Sequence, residues 1–232
     1  MILVKNLQVF RSRKQILKID QLKVVAGEKI SLFGPNGSGK STLLRSLALI
    51  EPESLRAVFY DSREANWQIG YLMQEPYFFR GTVAENLVLP LKLRKIPEKI
   101  IKRKLGEFTE KYNLESLLRK NPQVLSGGEK QRINLLRTLI YEPFYLFLDE
   151  PFTGIDALTK KELNKYLQSY LEQEPGRIVI YVSHDLKELL KWGKRFWYLK
   201  DGEIKFDLLK EEFLKLNYQV LNDDYLQLLF EE

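Results

Sequence analysis

The chain has 232 residues, of which 44% are hydrophobic and 29% charged, with a net charge of +6 and no cysteine. A chain of this size has the core of one large domain, or of one domain with an inserted part. The composition excludes disulfides, thiolate metal sites and a cysteine nucleophile, and no stretch approaches the roughly 18 apolar residues of a membrane span.

The opening MILVKNLQVF has too short an apolar run for a signal peptide and no small-residue cleavage site, so the expected address is cytoplasmic. Lys29 to Phe33 predicts a buried strand. A glycine-rich turn follows, and then a helix expected to bury Leu43, Leu44, Leu47 and Ile50. From Tyr77 to Leu139 the pattern turns helical, with segments over Glu85–Leu93, Glu98–Tyr112, Leu114–Leu118 and Glu129–Leu139. PFYLFLDEP and RIVIYVSHD are short apolar runs ending in polar groups, the pattern of buried parallel strands with functional residues at their carboxyl ends. KDGEIKF predicts a tight hairpin, and Lys210 to Glu232 one or two closing amphipathic helices. The alternation of strand and helix makes the fold α/β.

Gly34-Pro35-Asn36-Gly37-Ser38-Gly39-Lys40-Ser41 satisfies G-x-x-x-x-G-K-S/T directly after a strand and at the start of a helix, with Thr42 next. Backbone amides of such a loop turn inward around phosphate oxygens, and the helix N-terminus adds partial positive charge. Lys40 would reach the β and γ phosphates and the Ser41 hydroxyl would take magnesium. Asp149, at a strand end, supplies a metal carboxylate, and Glu150 follows on the other side of the pleat. His184, the single histidine, stands just past another core strand.

LSGGEKQR reads locally as a capped helix start, Ser126 capping and Glu129 closing the box, which leaves Gly127 and Gly128 without a reason. The basic stretch Lys92 to Lys104 could meet anionic lipid headgroups or nucleic acid, but reads first as the solvated face of a helix whose apolar side is Ile96, Ile100, Ile101 and Leu105.

GPNGSGKS, LSGGEKQR, LFLDEP and VSHD, in this order, resemble the nucleotide-binding subunit of ATP-binding cassette transporters over roughly Leu3 to Phe206. The resemblance implies a P-loop NTPase (RecA-like) fold: a mainly parallel sheet with helices on both faces, a small antiparallel β part and an inserted helical subdomain. One cassette domain would fill 1–232, with its core at about 1–74 and 140–232 and the helical part at about 75–139. The resemblance makes Gln74 a contact of magnesium and water, Glu150 the general base, His184 a γ-phosphate contact, and Asp156 part of a loop at a dimer interface. Phe10 or Arg11 would stack on adenine. Ser126, Gly127 and Gly128 would close the ATP site of a second copy, so that ATP and Mg2+ join two chains head to tail. The implied partner is a transmembrane permease subunit, docked near Tyr77, Phe78 and Phe79, with the chain peripheral on the inner membrane face and no role for nucleic acid. The other reading kept open is a soluble cassette ATPase of DNA repair, chromosome structure or translation. Only 34 positions separate Lys40 from Gln74, which implies an abridged antiparallel region. FRGTVAENLVLPLKLR is loosely similar to small bacterial exporter cassettes, with phosphate or tungstate importers as rivals, and leaves the cargo open.

Overall fold

The computed structural model describes residues 1–61, 65–216 and 223–231. They divide into two compact units: Met1–Tyr71, Phe144–Glu150 and Gly176–Glu232 form the first, Leu72–Pro143 and Pro151–Pro175 the second.

The first unit opens with a three-stranded antiparallel sheet. Strand β1 (Ile2–Arg11) lies between β2 (Lys14–Val24) and the three-residue β4 (Val58–Tyr60), the short antiparallel region expected before Gln74. A second, six-stranded sheet has the order β5-β6-β7-β3-β8-β9, from β3 (Lys29–Phe33), β5 (Ile69–Leu72), β6 (Tyr145–Asp149), β7 (Ile178–Val182), β8 (Arg195–Lys200) and β9 (Glu203–Leu209). β3 runs parallel to β7 and β8, and β6 parallel to β7, while β8 and β9 are antiparallel. Every residue of β6 and β7 is buried, which is why they read as unbroken apolar runs.

Both faces of β3 are covered, and its alternation shows how. Leu32 joins a core with Leu43, Leu44 and Leu47 of helix α1 (Lys40–Leu47). Phe33 joins another with Leu189 of α6 (Leu186–Trp192), Phe213 of α7 (Lys210–Leu214) and Leu226 and Leu229 of α8 (Asp224–Glu231). Burying each leucine contributes about 1.5–3 kcal/mol. Ile50, expected in that core, is 54% exposed. The cause is local: α1 stops at Leu47, Leu49 turns left-handed (φ 58°), and Ile50 N–H bonds back to Arg45 O, so the chain leaves the helix before Ile50 can face inward. At the KDG turn Asp201 and Gly202 both have positive φ (51° and 76°), the pair of left-handed residues a two-residue hairpin needs. The helices expected over 210–232 include α7 and α8; residues 217–222 lie outside the described ones.

The second unit contains α2 (Val83–Leu93), α3 (Glu98–Lys111), α4 (Gly127–Leu139) and α5 (Ala157–Glu172). Val83, Leu87, Tyr112, Leu114, Leu117, Leu125, Ile133 and Leu136 make its main core. Leu114–Leu118, expected to be helical, is a run of turns. Asn113 (φ 49°) ends α3, and the segment is too short to nucleate a helix. Instead the carbonyls of Leu118 and Lys120 accept from the free N–H groups of Ala84 and Val83 at the start of α2. Of the apolar side read for this stretch, Ile101 is buried and Ile96 and Leu105 pack against its cluster, while Ile100 is half-buried and outside it.

Candidate active site

The glycine-rich loop between β3 and α1 is shaped by backbone that only glycine tolerates. Gly34 has φ 149°, and a Cβ there would stand 1.9 Å from Leu199 O. Lys40 is buried and donates from Nζ to Gly34 O (2.7 Å) and Pro35 O (3.0 Å), folding the loop over its own lysine. Burial lowers the lysine pKa, against the opposing pull of Glu150 and Asp149. Ser38 is 4% exposed and its Oγ has no hydrogen-bond partner among the described residues. A Cβ on Gly37 would meet nothing within 4 Å.

At the carboxyl end of β6, Asp149 is 3% exposed and accepts hydrogen bonds from Ser41 and from Tyr71 Oη (3.1 Å). Burial raises its pKa, and those hydroxyls and Lys40 oppose the rise. Glu150 lies just beyond the strand, and its separation from Asp149 comes from a left-handed backbone (φ 47°) more than from the pleat expected. Such a conformation costs a non-glycine residue about 1–3 kcal/mol. It is held by Glu150 N–H donating to Val182 O (3.2 Å) and by the side chain, whose Oε1 is 2.6 Å from His184 Nε2. The loop bearing His184 is itself pinned: Ser183 Oγ and Tyr181 Oη donate to the buried Glu188 (2.7 and 2.5 Å), and Asp185 caps α6.

Lys40, Ser41, Asp149, Glu150 and His184 therefore gather in the first unit. Gln74, Ser126, Gly127 and Gly128 belong to the second. Ser126 caps α4, with Glu129 completing the box (2.8 and 3.3 Å). Gly128 has a packing reason, since a Cβ would stand 3.0 Å from Thr159 Oγ1; at Gly127 it would meet nothing within 4 Å. Asp156 caps α5 through the N–H groups of Leu158 and Thr159. Phe10, at the end of β1, is 46% exposed, while Arg11 is engaged by Glu51 and Glu53. Tyr71 and Glu188 are contacts the sequence reading missed. Glu188 left a trace, lying one helical turn after His184 with Asp185 as the intervening cap; Tyr71 left none, because it meets Asp149 only through strand order.

The family model described as ABC transporter matches residues 17–153. The chain belongs to the ABC transporter family. It is 35% identical over 195 residues to a sulfate/thiosulfate import ATP-binding protein of Agrobacterium fabrum, covering 79% of this chain and 56% of that protein. It is likewise 35% identical over 208 residues to a spermidine/putrescine import ATP-binding protein of Thermotoga maritima, covering 87% and 56%. The chain thus spans little more than half the length of these relatives. A probable sulfate/thiosulfate import protein of Chlorella vulgaris is 33% identical over 88% of the chain and 89% of its own length. Among solved structures, a dimeric ATP-binding cassette in a post-hydrolysis state bound to ADP and Pi superposes with a TM-score of 0.77 at 26% identity, covering 90% of this chain and 99% of its own. The ATP-binding subunit of an ABC transporter gives 0.80 at 25%, covering 99% and 97%. The ABC cassette accounts for the P-loop fold: the mostly parallel sheet with its small antiparallel companion. No helix among the described residues is long and apolar enough to cross a membrane.

Proposed function

We propose that the chain is the ATP-binding and ATP-hydrolysing subunit of an ABC importer, working as a head-to-tail dimer beneath a membrane permease. The observation that carries this is the first unit's combination of an open glycine loop holding an orphaned Ser38 hydroxyl with a strand-end Asp149 and a hydrogen-bonded Glu150–His184 pair. The loop amides and Ser38 Oγ suit phosphate oxygens, for which Lys40 would exchange the two carbonyls it now holds. Ser41 and Asp149 would hold Mg2+, which supplies neutralisation of phosphate charge. Glu150 would accept the proton of the attacking water, and His184 keeps its carboxylate in place. Phe10 would stack on adenine, since Arg11 is already committed to two glutamates.

Ser126, Gly127 and Gly128 would meet the ATP of a second copy. Gly127 supports this, because a Cβ there would meet none of the described residues within 4 Å. Tyr77 and Phe79, 58% and 53% exposed, would line the permease groove; Phe78 instead packs into the core beneath Arg137. The chain would sit peripherally on the inner membrane face, and the naming of its relatives as import subunits favours transport over a soluble role. Glu150→Gln tests the reading: turnover should fall about 10²–10⁴-fold while nucleotide binding persists and an ATP-bound dimer accumulates. Wild-type turnover in that variant would remove Glu150 as base, and absence of a co-purifying multi-span protein would remove the permease.

A further inference from the structure

The net charge of the chain is not spread over it. Residues 92–104 hold seven of the 37 basic residues and one of the 31 acidic ones, a net of +6, which leaves thirty of each sign and no net charge elsewhere. Of the seven, Arg94 stacks on the Tyr141 ring (3.7 Å), Lys104 pairs with Glu142 (2.9 Å) and Arg103 with Glu107 (3.7 Å). Lys92, Lys95, Lys99 and Lys102 are exposed and make no ion pair among the described residues. Helix stability does not explain them. In α3 the helix dipole is met at its ends by Glu98 in the first turn and Lys111 in the last, and Lys102, Arg103 and Lys104 lie in the middle turns beyond its reach; Pro97, the N-cap, offers no side-chain bond. Between Lys92 and Arg94 the apolar Leu93 is 66% exposed.

We propose that the end of α2 and the start of α3 form a docking surface for anionic phospholipid headgroups, the four lysines meeting phosphates and Leu93 entering the interfacial layer. Exposed cations that flank an exposed aliphatic side chain in sequence fit a lipid interface better than a nucleic acid backbone, which has no place for the leucine. The choice of a bilayer as the polyanion also rests on the reading of the chain as a transporter subunit.

The test is co-sedimentation of the full chain with vesicles of phosphatidylglycerol mixed into phosphatidylcholine, against phosphatidylcholine alone. Binding should require the anionic lipid and weaken as salt rises. Each lysine near the surface is worth roughly fivefold, so joint replacement of Lys92, Lys95, Lys99 and Lys102 by Gln should weaken binding by about several hundredfold. A control with Lys5, Lys14, Lys23 and Lys161 changed to Gln loses the same charge and should bind as wild type; ATP binding by both variants checks folding. Equal losses in the two variants, salt-insensitive binding, no preference for phosphatidylglycerol, or tighter binding to duplex DNA than to the vesicles would each overturn the proposal. Vesicle binding needs no permease, so its failure beside a co-purifying permease sinks this inference alone.

Discussion

Gly202→Ala is the substitution for which the structure supplies the most arithmetic. Gly202 has φ 76°, where an L-residue loses about 1–2 kcal/mol. A Cβ there would also stand 2.5 Å from Ile16 O and 3.0 Å from Ile16 C, both backbone, so the turn or β2 must move, at a further cost of about 1–3 kcal/mol. The total is about 2–5 kcal/mol, or roughly 4–20 °C in Tm for a chain of this length. The movement has a target, because Gly202 N–H donates to Ser38 O (3.0 Å) while Gly202 O accepts from Lys18 N–H (2.8 Å). Nucleotide affinity should therefore fall together with stability. Gly106→Ala in α3 is the control: no atom lies within 4 Å, its φ is ordinary, and relief of glycine in a helix should gain about 1 kcal/mol. Urea unfolding and fluorescent-nucleotide titration of both variants read the two effects. If the two variants have equal midpoints, or if Gly202→Ala loses stability but binds nucleotide as tightly as wild type, the bracing argument is wrong.

Tyr71→Phe removes only the hydroxyl that donates to Asp149, so on the proposal that Asp149 holds Mg2+ the Mg2+ concentration giving half-maximal nucleotide binding should rise about 10–100-fold; an unchanged Mg2+ titration would make Tyr71 a bystander. Glu51 is 5% exposed, and although burial works to raise its pKa, hydrogen bonds from Arg45 and Arg11 hold it below the ordinary glutamate range. A lowered carboxylate contributes stability above its unfolded pKa and loses it as pH falls through the folded value. Glu51→Gln should therefore be less stable than wild type at neutral pH and converge with it in acid; a gap that persists in acid, measured by urea midpoints, would assign the loss to packing.

The sequence was most legible where one local rule governs several residues. Strands β6 and β7 are apolar throughout because both faces are covered, so their ends, with Asp149 and His184 beside them, stood out from the text. The capping box at Ser126 was equally plain, since Ser and Glu three apart satisfy each other. What could not be read came from reversals and from strand order. One left-handed residue, Leu49, sends Ile50 to solvent, and another sets Glu150 off its strand. Tyr71 reaches Asp149 only because β5 lies beside β6, across 78 positions of chain. Helix α5 was not singled out: its polar face hides Leu163, Leu167, Tyr170 and Leu171 among charged neighbours.

The tie between the KDG turn and Ser38 also sets an order of events at the ribosome. Strand β3 is flanked by β7 and β8, and its loop leans on a hairpin made from the last quarter of the sequence. A nascent chain that has exposed GPNGSGKS has β2 to lean on, since Gly39 lies against Ile16, but still lacks β7, β8 and the turn that bonds Ser38. A fragment ending before Arg195 would therefore carry the glycine loop without the turn that holds Ser38 O in place.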